Sequence, residues 1–273
     1  MYVIHSVLAE WSDYYRASGA SLRTIDGRIR TMRSLMNHAG VNDPLAVTSR
    51  QVIAWLAAQT NPGTRATYRA GAKQFFLWAH KYGLLEADPM VLVPPVRPPA
   101  PQPRPLNVET VLLAITSART GRARSYLILG FYAGLRVHEI AKVHSDDVSV
   151  DGRSLFVRGK GGVAAVLPMH PLVAALARYR SGGWWFPSSR DRSGHVSANS
   201  VSRTIRSGLV AAGAPVGSHA HQLRHTFITS LFGVTSNARV VQELARHASL
   251  QTTQGYAGVE QAAMRIAIGK LAA

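Results

Sequence analysis

The 273-residue chain contains no cysteine, which excludes disulfides and thiolate chemistry but leaves the cellular compartment open. Carboxylates are scarce: 14 Asp and Glu stand against 31 Lys and Arg, for a formal net charge of +17 and a pI near 11.1. A field of that sign concentrates polyanions, which means nucleic acid or an anionic membrane. No apolar run approaches the roughly 18 residues of a spanning helix, and Met1-Tyr2-Val3-Ile4-His5 is not the basic start of a secretory signal. A cytoplasmic protein with a nucleic-acid partner is the simplest expectation.

Hydrophobic residues make up 47% of the chain, and its length suits two domains that each bury a core. Between Pro94 and Pro105 the sequence reads Pro-Pro-Val-Arg-Pro-Pro-Ala-Pro-Gln-Pro-Arg-Pro. Ring-locked φ angles and missing N–H groups favour an extended, semi-rigid spacer there. The expected organisation is a helical domain over 1–93, a linker over 94–105 and a second domain over 106–273. Both domains are basic, with 10 Lys/Arg against 6 Asp/Glu in 1–93 and 21 against 8 in 94–273.

Periodicity predicts a mostly α protein. In the first domain, helices are expected over 3–17, 22–37 behind a Ser21 cap, 49–59 behind Thr48, and 64–81. After the linker, helices are expected over 107–118, 122–133 and 137–143. A short antiparallel meander is then predicted from 148–150, 154–157 and 164–167, broken by Gly152 and Gly159. Further helices are expected over 171–180, 199–211, 220–231, 238–246, 250–256 and 260–270.

Five positions and one neighbour carry chemistry. Phosphodiester cleavage without a metal needs a nucleophile, cations on the non-bridging oxygens and an acid for the departing oxygen. Arg136 and Arg224 are candidates for the oxygen clamp, because a guanidinium stays charged and can bond two phosphate oxygens at once. A lone arginine is ordinarily a solvated surface charge. Arg136 gains support from Glu139, three residues on and on the same helical face, although a surface ion pair has the same spacing. His221 and Arg224 also stand at i, i+3, placing an imidazole beside a guanidinium, while His225 points elsewhere. Lys160 sits among glycines in Arg158-Gly159-Lys160-Gly161-Gly162, a turn from which its ammonium could close over DNA and donate a proton. Tyr256 is the nucleophile candidate, though most tyrosines pack, and a phenol with an ordinary pKa near 10 needs nearby cations or a base to ionise.

Metal binding is not expected. His219, His221 and His225 do not converge at i, i+2, i+6 on a helix, and Asp146-Asp147 diverge on regular backbone and suit a turn. No cofactor is implied.

In order and spacing the set resembles the tyrosine recombinases, the phage integrase and Xer family. The matching pieces are Gly134-Leu135-Arg136 with Glu139, Gly159-Lys160-Gly161-Gly162, His221-Gln222-Leu223-Arg224-His225-Thr226, then Glu243-Leu244, His247 and Thr252-Thr253-Gln254-Gly255-Tyr256. Each is weak alone; their succession over some 120 residues is specific. The resemblance implies a helical core-binding domain followed by a mainly helical catalytic domain with a small antiparallel sheet. It further implies that Arg136 and Arg224 bind the scissile phosphate and that Lys160 is the general acid. His221 and His247 would assist proton transfer and orientation, and Tyr256 would form a 3′-phosphotyrosyl bond without metal or ATP.

The implied partner is double-stranded DNA with inverted core-type sites, recombined by four protomers through a Holliday junction, the free protein being a monomer or weak oligomer. Accessory DNA-bending or directionality factors fit the same picture, as does a bacterial cytoplasm where the bound protein joins the nucleoid. Many relatives carry glycine where this chain has Arg246, an exchange expected to reshape the turn or add a phosphate contact. The chain starts at the core-binding helices, as a minimal integrase would. The apolar tail after Tyr256 would dock on a neighbouring protomer or on its own domain. Two rivals share the pattern: a type IB topoisomerase-like enzyme, and a non-catalytic DNA-binding regulator on the same fold. The regulator would have little reason to retain all six residues.

Overall fold

The computed structural model describes residues 3–97, 103–158, 164–180, 182–189, 191, 194–235 and 237–246. The chain divides into two compact units, Met1–Ala100 and Pro101–Ala273.

The first unit is built from four helices, α1 (Val3–Ala17), α2 (Leu22–Ala39), α3 (Ser49–Ala57) and α4 (Pro62–Lys81). Their starts follow local chemistry: side chains of Ser21, Thr48 and Asn61 accept backbone N–H groups left unpaired in the first turns. The fourth helix starts at Pro62, two residues earlier than periodicity suggests, because proline is compatible with a first helical position. The core is aromatic. Trp11, Trp55, Phe75 and Phe76 are buried, with Trp11 edge-on to Phe75 at 5.1 Å and Trp55 stacked on Tyr68 at 4.7 Å.

The second unit begins with α5 (Val108–Thr116), α6 (Gly121–Tyr132) and the short α7 (Val137–Ala141). Strands β1 (Ser154–Arg158) and β2 (Ala164–Pro168) pair antiparallel, Phe156 opposite Val166. Leu155, Val157 and Leu167 face the core while Phe156 and Val166 face outward, the alternation of a sheet with one solvated side. Among the described residues four helices follow: α8 (Pro171–Arg178), α9 (Ala198–Ala211), α10 (Ala220–Val234) and α11 (Ala238–Ala245).

The expected meander of three strands is corrected to two. Residues 148–150 make only one bridge, Val148 to Leu155, before the chain reverses. The Ser149 hydroxyl donates to Asp151 and accepts from the Ser154 N–H, and Gly152 adopts φ 68°, so local hydrogen bonds draw this segment into a turn. Asp146 and Asp147 lie in a single helical turn, Ser145–Asp147, where the Asp147 carboxylate accepts the His144 N–H. The helices expected over 250–256 and 260–270 lie outside the described residues.

Helix α10 packs on α6 closely enough that a Cβ at Gly130 would meet Leu223 at 2.9 Å. This close approach buries Leu223 and places its neighbour Arg224 beneath the α6–α7 turn.

Candidate active site

The α6–α7 turn supplies the first part of the site. Gly134 adopts φ 57°, and a Cβ there would come within 2.4 Å of the Phe227 ring, so both backbone and packing demand glycine. The turn delivers Arg136 to the start of α7. There Glu139 accepts twice from it: from the Arg136 N–H at 2.8 Å through Oε2, and from Nη1 at 2.9 Å through Oε1. Glu139 is almost wholly buried, whereas the Arg136 side chain stays 31% exposed. Its guanidinium is therefore braced from behind and accessible in front.

Helix α10 supplies the second part. Arg224 is 2% exposed, an unusual place for arginine, and its charge is matched by backbone oxygens. Nη1 donates to the Gly134 carbonyl at 2.6 Å, and Nη2 donates to the Ala245 carbonyl at the end of α11. His221 lies one turn before it on the same face. Burial, then the neighbouring His225, Arg224, His219 and Arg136, pushes the His221 pKa down to about 4. Its imidazole is neutral at physiological pH and can accept a proton.

Leu135, Arg136, Val137, His138, Ser202, His219, Ala220, His221 and Arg224 line one open concavity of about 340 Å³. Arg136, His221 and Arg224 are thus brought together. His225 is not part of this lining: its Nδ1 accepts the Arg104 N–H, and the next residue, Thr226, accepts the Leu106 N–H through its hydroxyl. Burial again comes first among the causes that lower the His225 pKa. Among the described residues, no three His, Asp or Glu side chains gather where they could hold a metal ion. Lys160, His247 and Tyr256 lie outside the described residues.

Sequence reasoning missed the inward turn of Arg246. This residue caps α11 with φ 53° and ψ 49°, and its side chain, 8% exposed, ion-pairs with Glu139 Oε2 at 2.7 Å. The available signal was an arginine at a helix end where glycine is usual. For the two outcomes expected of Arg246, the structure shows a left-handed turn occupied by arginine, and Arg246 is absent from the residues lining the concavity.

The sequence profile of the phage integrase family matches residues 105–262, more than half the chain. The chain belongs to the phage integrase family. As a tyrosine-type site-specific recombinase, it is a DNA strand-transferring enzyme. Tyrosine recombinase XerC of Rhodospirillum centenum is 32% identical over 240 residues, covering 81% of this chain and 70% of the relative. Tyrosine recombinase XerD of Mycobacterium tuberculosis is 30% identical over 284 residues and 90% of each chain. The fold matches a lambda integrase tetramer bound to a Holliday junction, with TM-score 0.73, 16% identity, and coverage of 90% of this chain and 77% of that one. Among the described residues, no helix is long and apolar enough to cross a membrane.

Proposed function

We propose that this recombinase cuts and rejoins double-stranded DNA through a 3′-phosphotyrosyl intermediate on Tyr256. The observation that carries the reading is one concavity in which the partly exposed Arg136, the buried Arg224 and the neutral His221 meet. Two guanidinium groups held by protein acceptors can bind the non-bridging oxygens of a phosphodiester without reorganising during the reaction. Tyr256 attacks phosphorus, its proton passing to a base such as His221, and the phosphotyrosyl bond forms as the bond to the 5′ oxygen breaks. Lys160 protonates that departing oxygen, and His247 helps orient the phosphate. Attack by the 5′ hydroxyl of a partner strand reverses these steps and releases Tyr256, so the bond energy is conserved.

In this reading residues 1–93 form a core-type DNA-binding domain, 94–105 the linker and 106–273 the catalytic domain. Support in the first unit comes from Arg28, Arg69 and Lys73, which line a concavity of about 360 Å³. Such cations neutralise backbone phosphates and make affinity fall with salt. The substrate is duplex DNA carrying inverted core-type sites. Four protomers assemble on two such sites and pass through a Holliday junction, the arrangement for which the lambda integrase tetramer provides the precedent.

A nicked suicide substrate tests the chemistry. The protein forms a covalent DNA adduct that disappears in Tyr256→Phe; an adduct that survives the change rejects Tyr256 as nucleophile. Arg224→Ala lowers the rate of adduct formation by about 10²–10³-fold while DNA affinity is largely kept. An equal loss of affinity would reduce Arg224 to a DNA contact. Synapsis of two labelled sites separates recombination from topoisomerase action, since a topoisomerase only relaxes supercoils.

A further inference from the structure

We infer that Arg246 is a positioning residue of the recombination site: it holds Glu139 and the Gly134 carbonyl in the arrangement that presents Arg136 and Arg224 to phosphate. The inference rests on the phosphate-binding roles proposed for those two arginines.

Its first support is conformational. Among the described residues Arg246 is the one non-glycine with positive φ. Left-handed backbone brings Cβ against the following carbonyl oxygen, so a helix end with this geometry ordinarily takes glycine or asparagine. Local preference therefore opposes arginine at this position, and tertiary contacts of the side chain hold it there.

Those contacts all lead to the two phosphate arginines. A single nitrogen, Nη2, donates to Glu139 Oε2 at 2.7 Å and to the Gly134 carbonyl at 3.1 Å. Each acceptor is shared: Glu139 also holds Arg136 at 2.9 Å, and the Gly134 carbonyl also holds Arg224 at 2.6 Å. Arg224 in turn bonds the Ala245 carbonyl, one residue before Arg246. The end of α11, the α6–α7 turn and both clamp arginines are thus tied through one guanidinium. Because Arg246 does not line the concavity, it acts on the reaction through Glu139 and Gly134 rather than by touching phosphate.

Charge supports the same role. Burial alone would raise the Glu139 pKa, but Arg246 first, and then the backbone N–H and guanidinium of Arg136, draw it below the ordinary carboxylate value. Without Arg246 a nearly dry carboxylate keeps one cationic partner, and its second oxygen loses its side-chain donor. Nε and Nη1 of Arg246 are also buried, with no hydrogen-bond partner among the described residues. A guanidinium this far out of water is costly to retain unless its charge is matched, and Glu139 matches it at 2.7 Å.

The test uses the whole protein on the nicked substrate. Arg246→Gly suits the left-handed turn better than arginine does, so it removes the side chain without straining the backbone. The expected result is a folded variant with parental DNA affinity whose adduct forms roughly 10²-fold more slowly, because a small displacement of the clamp is enough for that loss. Guanidinium ion, added well below denaturing concentrations, restores part of the rate, and Arg246→Lys falls between the two. A glycine variant that cleaves at the parental rate overturns the inference. So does one whose affinity falls with its rate, or whose slow rate neither guanidinium nor lysine improves. If the parental adduct survives Tyr256→Phe, the reading of the site itself fails. If the adduct vanishes there while Arg246→Gly remains fully active, only the role of Arg246 is rejected.

Discussion

The two units bury different kinds of residue. In Met1–Ala100 the core is apolar and aromatic, and Thr31 is the one polar side chain buried with it among the described residues. In Pro101–Ala273 the buried set includes Ser125, Glu139, Ser218, Arg224, Thr226 and Gln242. Taking a charge out of water costs several kcal/mol unless partners replace its hydration, so a unit that buries an arginine and a glutamate gives up stability for a fixed local field. The first unit follows the rule that maximises burial of apolar surface, and the second departs from it where the proposed chemistry lies. The departure is confined: Glu139, Arg224 and Arg246 meet at one turn, while Leu127, Leu129, Val201 and Ile205 form an ordinary core elsewhere in the unit.

The largest expected effect tests the first half of this contrast. Phe76→Ala removes a wholly buried ring that packs against Phe75 at 5.3 Å, and should destabilise the first unit by about 3–5 kcal/mol in chemical denaturation. A loss near zero would show that this core is not the closed aromatic assembly described above.

An intermediate effect, carried by pH, belongs to the second unit. The His221 pKa is depressed from 6.5 to about 4, so the unfolded chain takes up its proton first as pH falls. Stability is therefore fully present above about pH 6.5 and declines toward pH 4, and His225 contributes in the same direction. Glu139, held below 4.5, loses its contribution only at lower pH, as pH falls through its folded value. Thermal melts across this range should show a decline that His221→Gln flattens between about pH 6.5 and 4. An unchanged slope in that variant would assign the decline to other groups.

The smallest effect sharpens the contrast between buried and solvated charge. Arg239 and Glu243 pair at 2.6 Å with side chains 71% and 65% exposed. Water screens such a pair, and Arg239→Ala should change stability by less than about 0.5 kcal/mol in the same melts. A change of several kcal/mol would mean that proximity, rather than burial, sets the value of an ion pair in this unit.

Much of the fold could be read from local pattern. Ser21 and Thr48 announced their helices because an N-cap needs only its own side chain and the next turn. The i, i+3 spacings of Arg136 with Glu139 and of His221 with Arg224 were legible for the same reason: one helical turn decides which side chains are neighbours. The strand expected over 148–150 was not reliable, since three residues of strand pattern are outweighed by a serine, an aspartate and a glycine that make a turn. The burial of Arg224 was equally hidden, because it depends on the Gly134 and Ala245 carbonyls, 90 and 21 residues away.

The sequence by itself determined the helical character of both units, the caps at Ser21 and Thr48 and the order of motifs that marks the family. These rest on interactions within a few residues, or on a pattern that needs no coordinates. Only the tertiary structure decided that Glu139 serves two arginines at once and that Arg246 turns inward from a left-handed helix end. Such a contact joins residues 107 positions apart, and nothing in the local chemistry of either residue favours it. It exists because the packing of α10 and α11 against the α6–α7 turn brings one buried carboxylate and one carbonyl within reach of the same guanidinium.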